Sequence, residues 1–292
     1  VPKDALILKL LRSPHAYARI KAIDTSAALK MPGVVAVYTW KDVPDVRFTL
    51  AGQTYPEPSP YDRKILDEIV RYVGDEVAII AAETLDAAEK AMKLIKVDYE
   101  VYEPLLDFTK AIDNDIIVHQ EDNYRTLCEI GNARMRNICS QGESCVGDID
   151  AAFADCDVIL ERDYHTKANA QAMMETFRSY AYVDAFERLN VVSSTQVPFH
   201  VRRMVANALE IPKAKIRIVK PRIGGGFGAK QTGCCEIFTG FVTWKLKRPS
   251  YIVYSREETF TASNSRHEMK MHVKIGAKKN GEILAIDLHT LS

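Results

Sequence analysis

Four of the five residues from Gly224 to Gly228 are glycine, within Arg222-Ile-Gly-Gly-Gly-Phe-Gly-Ala-Lys-Gln231. Glycine gives a core nothing to pack and costs backbone entropy in a regular helix or strand. A run of it belongs where the chain needs positive φ or where something must approach bare N–H groups. Successive amides bent into such a concavity bind anions and oxygen ligands. A tight turn leading into a helix is the plainer use of the same residues. The run follows a strand-like segment, Lys215-Ile-Arg-Ile-Val-Lys220. It has neither the G-x-x-x-x-G-K-[ST] spacing of a P-loop nor the G-x-G-x-x-G of a dinucleotide-binding βαβ unit. The expected ligand is something other than a nucleotide.

Around this run the patterning divides the chain. Residues 1–104 read as a small α/β domain, with strands at Ala5–Leu11, Val34–Trp40, Val77–Ala82 and Lys96–Val101. A short helix follows Asp24 or Thr25, and a second spans Leu85–Ile95 behind Thr84, with Ala88, Ala91, Met92 and Ile95 at helical spacing. Pro56, Pro58 and Pro60 exclude helix or central strand from the loop 51–60. Residues 105–146 are polar and aperiodic, which predicts a long connection lying over a surface.

From 147 to 292 a mixed α+β domain is expected. Asp148 caps a helix, and strands run 158–165, 178–184 and 189–195. Val197-Pro198 opens a helix with Val201, Met204, Val205, Ala208 and Leu209 on one face. Glu236–Leu246 reads as a buried helix and Tyr251–Tyr254 as a strand. Met269, Met271, Val273 and Ile275 alternate as in a strand, and Asn280-Gly281 predicts a type I′ hairpin. The absent initiator methionine and a chain stopping in a strand-like stretch at Ser292 suggest a piece of a longer polypeptide.

Charge excludes some functions. With 39 basic and 39 acidic side chains mixed throughout, no basic face for nucleic acid or an anionic membrane is expected. No apolar run reaches the 18 or so residues of a membrane span, and no signal peptide is visible. Cys128, Cys139, Cys145, Cys156, Cys234 and Cys235 form no C-x-x-C pair, so reduced thiols and a cytoplasmic location are expected. Cys234 and Cys235 lie in an apolar stretch and read as buried small hydrophobes.

Two motifs invite chemistry. His267-Glu-Met-Lys-Met-His272 resembles the zinc helix H-E-x-x-H, but its second histidine falls one residue late and its alternation says strand. Gln196 ends an apolar strand just before a helix, where α/β sites gather ligands, although a turn or helix cap is the plainer use of such a residue. Arg266 follows a polar loop, where a solvated arginine is the plain reading.

Together these residues resemble the molybdenum-binding subunit of the xanthine dehydrogenase and aldehyde oxidase family, and most resemble xanthine dehydrogenase. Leu11-Arg-Ser-Pro-His-Ala-Tyr-Ala-Arg-Ile20, Ile23-Asp-Thr-Ser-Ala-Ala28 and Met31-Pro-Gly-Val34 are similar to the opening of its α/β hammerhead domain. Met174-Glu-Thr176, Ser194-Thr-Gln196 and Gly224–Lys230 are similar to its cofactor-proximal segments. The resemblance runs in one order over nearly the whole chain. It implies an α+β fold, a hammerhead domain followed by a mixed molybdenum-cofactor-binding domain. It also implies a molybdenum-pterin cofactor held with no direct metal ligand from a protein side chain.

Further roles follow from the same resemblance. Gln196 would hydrogen-bond the apical oxygen on molybdenum, and Gly225, Gly226, Phe227 and Gly228 would bring backbone to the metal's oxygen ligands. Arg266 would stabilise negative charge on a substrate, and Gln231 would orient it. Gln231 stands where xanthine-oxidising relatives often carry glutamate. Implied partners are the remainder of the subunit, iron–sulfur and flavin (FAD) subunits, and a heteroaromatic substrate. The reaction would be purine-type hydroxylation, with aldehyde or other N-heterocycle oxidation, or a non-catalytic docking module, as alternatives. The family's glutamate base lies beyond this span, so the isolated piece is expected to be inactive.

Overall fold

The computed structural model describes residues 4–51 and 54–292. The opening Val1-Pro-Lys and positions 52–53 of the proline-rich loop lie outside the described residues. The elements run β1 (Leu6–Arg12), β2 (Ala18–Asp24), α1 (Ser26–Leu29), β3 (Val34–Tyr38), β4 (Ile69–Val70), β5 (Glu76–Ala82), α2 (Leu85–Met92) and β6 (Lys96–Val101). There follow α3 (Ile149–Ala154), β7 (Val158–Thr166), β8 (Arg178–Val183), β9 (Leu189–Ser193), α4 (Pro198–Leu209) and β10 (Ile216–Val219). The last are α5 (Glu236–Leu246), β11 (Ser250–Val253), α6 (Arg256–Thr261), β12 (Met269–Ala277) and β13 (Ile283–Leu291). Among the described residues, no helix is long and apolar enough to cross a membrane.

Two compact units emerge, and neither follows chain order. The first joins Val1–Pro104, Val118–Glu129 and Gln171–Asn264; the second joins Leu105–Ile117, Ile130–Ala170 and Ser265–Ser292. The first is built on a seven-stranded mixed sheet ordered β10-β9-β8-β11-β1-β5-β3. β5 explains its centre, since every residue of Glu76-Val-Ala-Ile-Ile-Ala-Ala82 is buried. Ile79 and Ala81 face the main core, while Ala78, Ile80 and Ala82 pack on Ala87, Ala88 and Ala91 of α2. A strand covered on both faces reads as a continuous apolar run rather than an alternation.

Helix α2 begins where Thr84 accepts the Ala87 N–H (3.1 Å). It stops at Met92, short of Ile95, because Lys93 and Leu94 donate to Lys90 and Ala91 in a tightened last turn (3.2 and 3.0 Å). Two strands and a helix escape the sequence pattern. β2 and β4 pair in a small sheet ordered β4-β2-β6, and β4 is only two residues long. α6 is six polar-rich residues held by a reciprocal Ser255–Glu258 capping box.

The connection expected at 105–146 lacks strands and helices beyond single 3₁₀ turns at Phe108–Lys110 and Arg134–Arg136. Its stretch Val118–Glu129 is strapped to the first unit by charge. Arg71 donates to Val118 O (3.2 Å) and pairs with Glu121 (3.0 Å), while buried Arg47 reaches Asn123 (2.6 Å) and Glu121 (3.2 Å).

In the second unit β12 lies between β13 and β7. Val273 pairs with Arg162 and Leu288, and Ile275 with Leu160 and Ile286, so the alternating apolar positions share one face. Gly276 sits under α3, where an added Cβ would lie 2.4 Å from Cys156 Sγ. The expected type I′ hairpin is corrected, since that turn needs positive φ at both Asn280 and Gly281 and only Gly281 has it (92°). Gly281 N–H bonds Lys278 O (3.0 Å) and Lys278 N–H bonds Glu282 O (2.8 Å), the pattern of a three-residue loop with its glycine at the bulge.

Candidate cofactor site

β9 ends at Ser193, and Ser194-Thr-Gln196 leads into α4, whose Pro198 occupies a first-turn position where its missing N–H costs nothing. Thr195 Oγ1 accepts the Val197 N–H (3.0 Å), fixing the bend between strand and helix. Gln196 is thereby held at a strand's carboxyl end. Its N–H donates to Lys230 O (2.8 Å), bringing it against the glycine run.

The run is shaped by close approach on two sides. A Cβ on Gly224 would meet Glu175 Cβ at 2.8 Å, and one on Gly225 would meet Met173 Cβ at 3.2 Å. On the other side, a Cβ on Gly226 would fall 2.4 Å from Gln196 Oε1. Gly225, Phe227 and Gly228 all have positive φ (98°, 49° and 91°). For Phe227 that conformation is strained, and the residue is 67% exposed, so little burial offsets the strain. Residues turned this way curve their amides into a nest.

Gln196 Oε1 is buried and has no hydrogen-bond partner. An orphaned buried acceptor costs on the order of 1–3 kcal/mol unless something satisfies it. Behind it, Glu236 is buried and joins Ser193 Oγ (2.6 Å) to Cys234 N–H (2.8 Å), tying the strand end to the chain beyond the loop. Burial pushes the Cys234 and Cys235 thiols well above their ordinary range, which leaves them unreactive.

Two residues absent from the sequence-level site complete it. Glu175 Oε2 accepts the Gly224 N–H (2.7 Å) and the Lys230 ammonium (2.8 Å), and Lys230 is only 1% exposed. Burial raises the Glu175 pKa, but the Lys230 and Gly224 hydrogen bonds outweigh it and hold the carboxyl below its ordinary value. Both residues lie in segments that matched the family pattern, yet their pairing joins positions that only the fold brings together.

The structure therefore assembles Gln196, Gly224–Gly228, Glu175 and Lys230 in the first unit. Gln231 follows in a 3₁₀ turn, half-buried, its N–H on Gly228 O (3.2 Å). Arg266 belongs to the second unit, exposed, where its backbone bridges Asn169. His272, the second histidine of the zinc-like motif, lies within strand β12.

The glycine run thus faces the buried Oε1 of Gln196, and sequence comparison gives the chain a class. Residues 131–292 match the molybdopterin cofactor-binding domain, and residues 1–103 match the a/b hammerhead domain of aldehyde oxidase and xanthine dehydrogenase. The chain belongs to the aldehyde oxidase and xanthine dehydrogenase family. It is 39% identical to a probable hypoxanthine oxidase of Escherichia coli O157:H7, over 99% of this chain and 32% of that protein. It is 32% identical to the nicotinate dehydrogenase large molybdopterin subunit of Eubacterium barkeri, over 98% of this chain and 63% of that one. The fold matches the aldehyde oxidoreductase of Desulfovibrio gigas with a TM-score of 0.82 at 26% identity, over 99% of this chain and 31% of that structure. The chain thus spans about a third of the hypoxanthine oxidase and of the aldehyde oxidoreductase.

Proposed function

We propose that this chain is the hammerhead and first cofactor-binding portion of a molybdenum hydroxylase of xanthine dehydrogenase type. The whole enzyme hydroxylates an electron-poor heteroaromatic carbon, with a purine as the first choice. The observation that supports this reading best is Gln196 Oε1, buried without a partner against a glycine that has no room for a Cβ.

The residues fit a molybdopterin cofactor. Gln196 offers an amide that both donates and accepts, and Gly225, Gly226, Phe227 and Gly228 offer curved backbone in which an oxygen-rich group can sit. When bound, the cofactor supplies the redox chemistry and the oxygen transfer. This chain's own residues bind and orient. Gln196 would hydrogen-bond the cofactor, the nest would hold it by N–H groups, and Gln231 would orient a heterocycle through its side-chain amide. Arg266 steadies negative charge developing on the substrate, on the strength of its match to the family's arginine and of a guanidinium's fixed charge.

The purine choice draws on relatives described as hypoxanthine oxidase and xanthine dehydrogenase. A second reading, another N-heterocycle or an aldehyde, is favoured by glutamine at 231 and by the nicotinate and aldehyde enzymes among the relatives. Iron–sulfur and flavin partners carry the electrons away, and six free thiols suit a cytoplasmic setting. The test is elemental analysis of the full-length enzyme with its partners, followed by assay on hypoxanthine, xanthine, nicotinate and a set of aldehydes. About one molybdenum per polypeptide and the highest kcat/KM on a purine are expected. Absence of molybdenum would leave a docking module, and a preference for aldehydes would overturn the purine assignment.

A further inference from the structure

The buried lysine at the end of the glycine run calls for an explanation of its own. Lys230 is among the largest fully buried side chains of the chain, in company otherwise mostly apolar. Its ammonium meets Glu175 Oε2 (2.8 Å), and the same oxygen accepts the Gly224 N–H (2.7 Å). Glu175 N–H in turn donates to Gly224 O (3.1 Å), and Arg178 Nε stands 3.5 Å from the other carboxylate oxygen. The main chain of Lys230 works in the opposite direction. Its carbonyl accepts the Gln196 N–H (2.8 Å) and the Thr195 hydroxyl (3.5 Å).

We propose that Glu175 and Lys230 form a positioning clamp that sets the separation between the glycine nest and Gln196. The proposal rests on the reading of the nest as the cofactor cradle. Three points of the loop hang on these two residues. Its entry, Gly224, hangs on the carboxylate, and its exit on the lysine side chain. Gln196, on the facing side, hangs on the lysine carbonyl. Between entry and exit, Ala229 N–H also bonds Gly226 O (2.9 Å).

Stability alone does not account for the pair. Desolvating two charges offsets much of their attraction, and apolar residues of similar volume commonly replace such a pair without loss. What an apolar pair cannot do is hold the Gly224 amide at a fixed distance from Gln196. Removing one partner is a different perturbation, because it strands a buried charge that must either lose its charge or reach water by opening the loop.

The experiment uses the full-length enzyme with its partners and compares wild type with Glu175→Gln, Lys230→Met and the double variant Glu175→Met/Lys230→Met. Three quantities are read: amide hydrogen exchange of residues 224–228, molybdenum per polypeptide, and turnover per bound molybdenum together with KM. In Glu175→Gln, exchange in the loop should rise about tenfold, Gly224 foremost, while that of α5 stays within about twofold. Turnover per molybdenum should fall about tenfold or more, with KM within about threefold. The double variant should fold normally and show the same loss per molybdenum, which keeps the test intact if a single variant fails to fold. Wild-type loop exchange and turnover in the double variant would make the pair structural and overturn the clamp. A wild-type enzyme without molybdenum would overturn the cofactor reading instead, and the exchange comparison would still decide the clamp.

Discussion

Adding one methyl group at Gly226 separates the placement of Gln196 from the stability of the fold. The Cβ of Gly226→Ala would lie 2.4 Å from Gln196 Oε1, 2.8 Å from Cδ and 3.3 Å from Cγ. Ordinary contact begins at roughly 3.5 Å, so the carboxamide must retreat by about 1 Å. Gly226 is not among the positive-φ residues, so alanine fits its backbone without strain. The atoms in the way are the end of a flexible side chain, and alanine reduces the entropy of the unfolded chain by roughly 0.4–1 kcal/mol. The net change in stability should stay under about 1 kcal/mol, a Tm shift of about 3 °C or less. A 1 Å misplacement of a positioning group costs roughly a hundredfold in turnover, about 2.7 kcal/mol of barrier. In the full-length enzyme, Gly226→Ala should therefore keep its fold and its molybdenum while turnover falls to near that of Gln196→Ala. Because both variants remove one interaction, the double variant should be no worse than the poorer single one. Turnover of Gly226→Ala within about threefold of wild type, at full loading, would refute the reasoning.

Phe227→Gly should relieve the left-handed strain and raise stability by up to about 1 kcal/mol while lowering turnover, measured by thermal unfolding and steady-state assay; a loss of stability would show that the ring packs. Arg266→Met should depress turnover of a heterocycle far more than that of any aldehyde the enzyme accepts, and equal losses on both would remove arginine from the substrate's charge. His272 lies between Asp163 (2.8 Å) and Glu161 (3.0 Å), and the Asp163 hydrogen bond leads in raising its pKa. Its contribution to the sheet of the second unit should be complete below the ordinary value of 6.5 and fade as pH rises through the higher native value, so an NMR midpoint at or below 6.5 would count against it. The chain alone should fold yet hold no stoichiometric molybdenum, and turnover by the isolated piece would contradict this.

What the residues disclose depends on how local the physics is. β5, α5 and the stripe of α4 are legible because burial writes a period or a run into the sequence within one element. The glycine run is legible because a side chain is missing where backbone must come close. The end of α2 is set by turn geometry that its apolar spacing does not encode, and the hairpin type by a bulge that Asn-Gly also permits. Glu175 and Lys230 look like ordinary charged residues, and only the fold brings them to 2.8 Å. The exposed Arg266 carries no local signal at all, so the role proposed for it rests on resemblance alone.

The pairing of β1 with β11 also bears on how the molecule is made. Leu6 lies beside Ser250, and Leu6 N–H reaches Pro249 O at 2.8 Å, across a gap of about 240 residues. At roughly 5–20 residues per second, the ribosome takes on the order of tens of seconds to deliver the neighbour of the first strand. β5 can cover one edge of β1 early, but the other edge stays unpaired until Ser250–Val253 has been made, and open edges recruit other chains. A topology this non-local folds slowly for the same reason, since a large loop must close before its contacts reward it. Expression at lower temperature or with chaperones that shield a strand edge should therefore raise the soluble yield.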